Sequence, residues 1–217
     1  MPRHRRIHID GVPQHIIQRG NNREPCFLTD QDRIVYLRIL REEAASHQCA
    51  LHAFVLMSNH VHMLVTGSSA TSVSRMMQNL GRRYVRHFNS EYTRTGTLWE
   101  GRYRSCQVVD PRYVLVCYRY IELNPVRAAL CKHPGDYRWT TFHANACGRK
   151  VSWLTPHSLY EELGNSKSAR CQAYEELFAD GLEEGMVAML RSRTNQRLAI
   201  KPDAPPPISV PPPAGSE

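Results

Sequence analysis

Residues 50–66, ALHAFVLMSNHVHMLVT, constrain the fold more than any other stretch of this chain. Two apolar runs flank Ser58-Asn59, too close in sequence for a crossover helix, so they must pair as an antiparallel hairpin. A lone hairpin is marginal in water and needs more strands or a helix against its apolar face. HIIQR at 15–19, ended by Gly20-Asn21-Asn22, reads as a strand before the hairpin, and residues 104–109 as one after it.

The intervening segments carry helical periods. Thr29 is placed as an N-cap with Asp32 as its capping-box partner, and Ile34, Leu37, Leu40 and Ala44 predict one buried face. From about 71 to 88, Val73, Met77, Leu80, Tyr84 and Phe88 fall on one side. Arg75, Arg82 and Arg86 fall on the other with Asn79, a basic stripe opposite a core face. Asp110-Pro111 opens a third helix, which is expected to stop near Asn124 because the residue before Pro125 disfavours the α region. The order strand, helix, strand, strand, helix, strand, helix predicts an α+β fold, an antiparallel sheet with packed helices. Short helices at 155–164, 166–180 and 182–193 predict a small C-terminal helical region. The expected division is 1–148, 149–200 and a proline-rich, extended tail at 201–217.

The formal charge of +8 and pI near 9.3 favour an anionic partner, of which nucleic acid is the commonest. Seven scattered cysteines with no C-x-x-C argue against a disulfide framework and against zinc-finger spacing. The basic start MPRHRR has no apolar run behind it, so no signal peptide is read there. The longest apolar run, near 113–117, is far too short to span a bilayer. A cytoplasmic protein without membrane partners is the expectation.

Two constellations carry chemistry. His60 and His62 alternate with Val61 along a strand, so both imidazoles emerge on one face and can hold one divalent ion. The neighbours Val61, Met63, Leu64 and Val65 are apolar, and a buried strand that places two histidines among them needs a reason. In YRYIELNPVRA, Tyr120 and Asn124 lie four apart on one helix face. The Asn carboxamide oxygen is a hard ligand suited to Mg²⁺ or Mn²⁺. An ion held by His60, His62 and Asn124 would polarise a phosphodiester, and Tyr120 would attack it to give a covalent phosphotyrosine. Tyr113, seven residues earlier, is the rival nucleophile. Glu122 is off that face and is read as solvated. Arg19, Arg23, Arg102 and Arg104 flank the sheet as candidate phosphate or guanine contacts, alongside the Arg75–Arg82–Arg86 stripe. Trp99, Tyr103 and His87 are candidates for stacking on unpaired bases, and Trp99 equally for the core.

The segments NHVHMLV, GTLWEGRYRS, YIELNPVRAAL and DYRWTTFHA, in that order, resemble those of the single-tyrosine HUH transposases, and most closely the REP-associated tyrosine transposases. GVPQHIIQRGNNRE is similar to that branch's opening. The resemblance spans roughly residues 2–146. It implies an RNA-recognition-like α+β sandwich, a metal-binding pair at His60 and His62, a nucleophile at Tyr120 and a third ligand at Asn124, where many relatives carry Gln. It also implies a 5′-phosphotyrosine intermediate on single-stranded, hairpin-containing DNA, in a monomer or a homodimer. The alternatives are a non-catalytic, domesticated hairpin-binding protein and a metal-dependent hydrolase that uses water instead of Tyr120.

Overall fold

The computed structural model describes residues 9–201. Its frame is β1 (Gln14–Arg19), α1 (Asp30–Ser46), β2 (Cys49–Leu56), β3 (His60–Gly67), α2 (Ser72–Glu91), β4 (Arg104–Gln107) and α3 (Val114–Glu122). Short helices follow: α4 (Asn124–Arg127), α5 (Phe142–Asn145), α6 (Ser158–Glu161), α7 (Lys167–Glu176) and α8 (Glu184–Gln196). The expected tail at 201–217 lies, but for Lys201, outside the described residues.

The four strands form one sheet in the order β2-β3-β1-β4, with every pairing antiparallel. The β2–β3 hairpin lies where its sequence placed it. Because side chains alternate across a strand, the sheet feeds two separate cores. Val61, Met63 and Val65 of β3 and Ile16 of β1 face α1 and α2, meeting Tyr36, Leu40, Met76 and Tyr84. Leu64 of β3, Ala53 and Val55 of β2 and Cys106 of β4 face α3 and the C-terminal helices, meeting Tyr118, Ile121, Tyr174 and Leu190. His60 and His62 share the parity of Leu64 and so belong to the α3 side.

Helix α1 starts at the Thr29–Asp32 capping box, with both reciprocal hydrogen bonds formed. Its buried face, however, is set by Val35, Tyr36, Ile39, Leu40, Glu43 and Ala44, and Ile34 is 45% exposed. The aromatic Tyr36 docks against Phe27 and Tyr84 and rotates the helix away from the phase that Ile34 alone would set. Strand β4 is shorter than the expected 104–109. Beyond Gln107 the backbone pairs with the segment after α8 instead: Ile200 N–H donates to Gln107 O at 2.8 Å, and Val109 N–H donates to Ile200 O at 2.9 Å.

Asp110 caps a 3₁₀ turn at Pro111–Tyr113, and α3 continues from it. Helix α3 ends at Glu122, close to the expected stop near Asn124, and the chain restarts as α4 with Pro125 in the first turn, where its missing N–H costs nothing.

Glu122 is not solvated. It is wholly buried, because α5 and α7 cover the side of α3 that faces away from Tyr120. Its Oε1 accepts from the Thr141 hydroxyl at 2.7 Å and from Asn145 Nδ2 at 2.8 Å, and its Oε2 accepts from the Tyr174 hydroxyl at 2.7 Å. Burial pushes its pKa from 4.5 up to about 7, against the pull of those three hydrogen bonds. The folded state therefore keeps a proton that the unfolded chain has released. That stabilisation is complete below the unfolded value and is lost as pH rises through the folded one. Glu122→Gln, which cannot titrate, is expected to gain about 2 kcal/mol relative to wild type between about pH 5 and about pH 8. Urea unfolding of both proteins across that range measures it, and parallel pH profiles would contradict it.

Candidate active site

Register places the histidine pair. In the β1–β3 ladder Arg19 lies opposite His60 and Ile17 opposite His62, so His15, Ile17 and Arg19 share their face. The His60 and His62 rings are 5.0 Å apart between centroids and close to perpendicular. Tyr120, on α3, sits edge-on to both His62 (5.6 Å) and His15 (5.4 Å). Gly20 ends β1 where a Cβ would come within 2.2 Å of the Glu24 carbonyl oxygen, and this tight turn carries Arg23 over the site.

His60, His62, Tyr120 and Asn124 line one cavity of about 460 Å³. Arg19, Arg23, Arg102 and Arg104 line it too, as do Arg127 of α4 and Arg191 of α8, against one acidic residue among the described residues, Glu100. Its field is therefore strongly positive and suits a phosphate-bearing strand.

The hydrogen bonds orient each polar group. Asn59 Nδ2 donates to Arg23 O at 2.9 Å, which turns its Oδ1 to His60 Nδ1 at 2.6 Å. A carboxamide oxygen only accepts, so His60 carries its proton on Nδ1 and leaves Nε2 bare. His62 Nδ1 lies 2.9 Å from His15 Nε2, and the two rings, 11° from parallel with centroids 5.2 Å apart, meet edge to edge in one plane. His15 Nδ1 reaches Thr194 Oγ1 at 2.9 Å. Asn124 Nδ2 donates to Tyr120 O at 2.8 Å and, more weakly, to Ile121 O at 3.3 Å, so the amide's remaining acceptor is Oδ1. Burial lowers the pKa of His60 to about 4, with Arg19 and Arg191 adding to the effect. Burial likewise brings His15 to about 3 and drives His62 well below the ordinary value, so all three rings are neutral at neutral pH.

These groups fit a divalent ion. Two imidazoles with Nδ1 committed and one carboxamide with its nitrogen committed form a neutral N,N,O donor set that accepts a metal without offsetting its charge. Among the described residues no three His, Cys, Asp or Glu side chains cluster as a metal site, so an ion here depends on Asn124 and on oxygens of solvent or substrate.

Tyr120 is 2% exposed, and the Arg127 guanidinium lies 4.8 Å above its ring. Burial lowers the Arg127 pKa, Tyr120 pulls it back up, and Arg127 Nη1 is buried with no hydrogen-bond partner among the described residues. Tyr113 is fully buried and does not line the cavity. Arg82 and Arg86 line a second groove on the α2 side of the sheet, where Arg102 and Tyr103 join them; Arg102 thus borders both. Arg75 is exposed on α2 and lines neither. Trp99 packs against Tyr84 and Tyr36 as a core residue.

Sequence reasoning missed His15, Arg127, Arg191, Thr194 and Asn195. Arg127 is seven residues after Tyr120 and so in helical phase with it, but the predicted helix stop at Asn124 hid the relation. His15 had the right strand parity, with no way to learn which strand it faced. Arg191, Thr194 and Asn195 gave no signal, since only the docking of α8 brings them to the sheet.

A histidine pair on an antiparallel sheet, facing a tyrosine-bearing helix across a basic cavity, marks an α+β protein with a site suited to an anionic ligand. The chain belongs to the IS200-like transposase family, whose model matches residues 9–124, just over half of its length. It shares its fold with a REP-associated tyrosine transposase solved bound to a REP hairpin: 19% identity, 72% of this chain and 92% of that one, TM-score 0.57. A structure from Deinococcus radiodurans R1 assigned as a transposase matches at 23% identity over 56% of this chain and 96% of that one, TM-score 0.40. No curated protein matches. Among the described residues no helix is long and apolar enough to cross a membrane.

Proposed function

We propose that this chain is a metal-dependent single-stranded DNA endonuclease and strand transferase that works through a 5′-phosphotyrosine intermediate on Tyr120. The observation that carries the reading is that one basic cavity is lined at once by His60, His62, Asn124 and Tyr120. Family membership supports DNA transposition as the process, and the hairpin bound to the solved relative supports hairpin-containing single-stranded DNA as the substrate.

The Tyr120 oxygen attacks phosphorus and the bond to the 3′ oxygen breaks. The phenolic proton is lost and the departing 3′ oxygen gains one, leaving a free 3′-hydroxyl and a 5′-phosphate on tyrosine. A divalent ion, Mg²⁺ or Mn²⁺, held by His60, His62 and Asn124 would polarise the phosphate oxygens and stabilise the departing alkoxide. Arg127, above the Tyr120 ring, adds positive charge beside the phosphate under attack. Arg19, Arg23, Arg102, Arg104 and Arg191 hold the flanking phosphates; Arg82 and Arg86, joined to the site through Arg102, take the strand into the groove on the α2 side, and Arg75 is an exposed charge further along α2. All four central groups come from one chain, so a monomer suffices. Residues 1–148 form the catalytic unit in this reading, and the helical region 149–200 packs over its α3 face.

The test is incubation with a 3′-end-labelled single-stranded hairpin oligonucleotide and Mn²⁺, followed by a denaturing gel. A label co-migrating with protein is the expected product, since the downstream fragment stays on the tyrosine. Hairpin binding with no adduct would select the non-catalytic reading, and cleavage with no adduct the hydrolase that uses water.

A further inference from the structure

We infer that His15 and Thr194 are positioning residues that hold His62 in the one tautomer able to bind a metal, and that α8 is thereby part of the site. The inference rests on the metal reading proposed above.

The direction of the hydrogen-bond chain follows from its last acceptor. The Leu190 backbone carbonyl only accepts, so the single hydroxyl proton of Thr194 is committed to it, at 2.8 Å. Thr194 Oγ1 must then accept from both of its other neighbours, His15 Nδ1 at 2.9 Å and the Cys106 thiol at 3.1 Å. With its proton on Nδ1, His15 presents the lone pair of Nε2 to His62, 2.9 Å away. His62 therefore donates from Nδ1 and keeps Nε2 bare. Reversing the chain would put the proton on His62 Nε2, the form that cannot ligate. One backbone carbonyl on α8 thus dictates, through two side chains, which nitrogen of a β3 histidine is available.

His15 and Thr194 are fully buried and His62 is 3% exposed, so solvent does not compete for these bonds. The helix supplying the anchor is itself tied to the sheet: Arg104 donates to Asn195 Oδ1 at 2.8 Å, and Ile200 pairs with Gln107 and Val109 beside β4. Residues 184–196 lie outside the 9–124 that the family model matches, so this orienting device comes from beyond the shared core. Partners of this kind typically set metal affinity by about tenfold to a hundredfold.

The experiment has two arms on the full chain. Long-range ¹H–¹⁵N spectra of metal-free, histidine-labelled wild type report the tautomers without any substitution. His15 and His62 are both expected in the Nδ1–H form. Calorimetric titration with Mn²⁺ then compares wild type, Thr194→Val and Thr194→Ser. Thr194→Val keeps the shape but removes the acceptor, and should weaken Mn²⁺ binding by about tenfold or more, whereas Thr194→Ser restores it to near wild type. If wild type binds no Mn²⁺, the metal reading of the site falls. If it binds Mn²⁺ but His62 carries its proton on Nε2, or Thr194→Val binds within about twofold of wild type, the positioning role alone is overturned.

Discussion

Tyr120→Phe is expected to abolish the covalent protein–DNA adduct while leaving hairpin affinity within about threefold of wild type. Loss of a nucleophile typically lowers the rate by about four to six orders of magnitude, which puts the adduct below detection. The substitution is conservative where it must be. A phenylalanine ring retains the edge contacts to His15 and His62 and the guanidinium of Arg127 above it. Only the hydroxyl is lost, at a cost of about 1 kcal/mol, so failure to fold is not an alternative explanation for lost activity. Tyr113→Phe is the control, since Tyr113 is buried away from the cavity. An adduct that survives in Tyr120→Phe and vanishes in Tyr113→Phe would assign the nucleophile to Tyr113.

His60→Ala and His62→Ala should each lose Mn²⁺ binding and, with it, cleavage, by about three orders of magnitude or more. A site of two imidazoles and one carboxamide has no spare donor among its own side chains to replace either ring. The two variants should differ in stability. Removing His60 frees Asn59 Oδ1 at the half-buried rim. Removing His62 leaves His15 Nε2 buried without a partner, which costs about 1–3 kcal/mol more. Calorimetry with Mn²⁺, the adduct gel and thermal melting read the three effects separately. Full cleavage by wild type in excess chelator would remove the metal from the mechanism.

Several elements were legible because their signals are local. The β2–β3 hairpin follows from two apolar runs around Ser58-Asn59, the start of α1 from Thr29 and Asp32, and the basic face of α2 from its helical period. The shared face of His60 and His62 follows from strand alternation, and the stacking of Tyr120 over Asn124 from helical pitch. Misreadings arose where a neighbour outvoted the local pattern. Ile34 is exposed because Tyr36 sets the phase of α1, and Glu122 is buried because α5 and α7 close over α3.

The sequence by itself determined the residue types and their local phase: a histidine pair on one strand face, a tyrosine and an asparagine on one helix face, and an excess of arginine. Periods of two and of 3.6 residues are enforced by backbone geometry and need no knowledge of the rest of the chain. Only the tertiary structure decided that these faces meet, that His15 lies edge to edge with His62, and that α8, far along the chain from the hairpin, supplies Thr194 and Arg191. The orientation of an imidazole depends on whichever atom stands 2.9 Å away. That atom is chosen by sheet register and helix docking, which are sums over many weak contacts across the whole core.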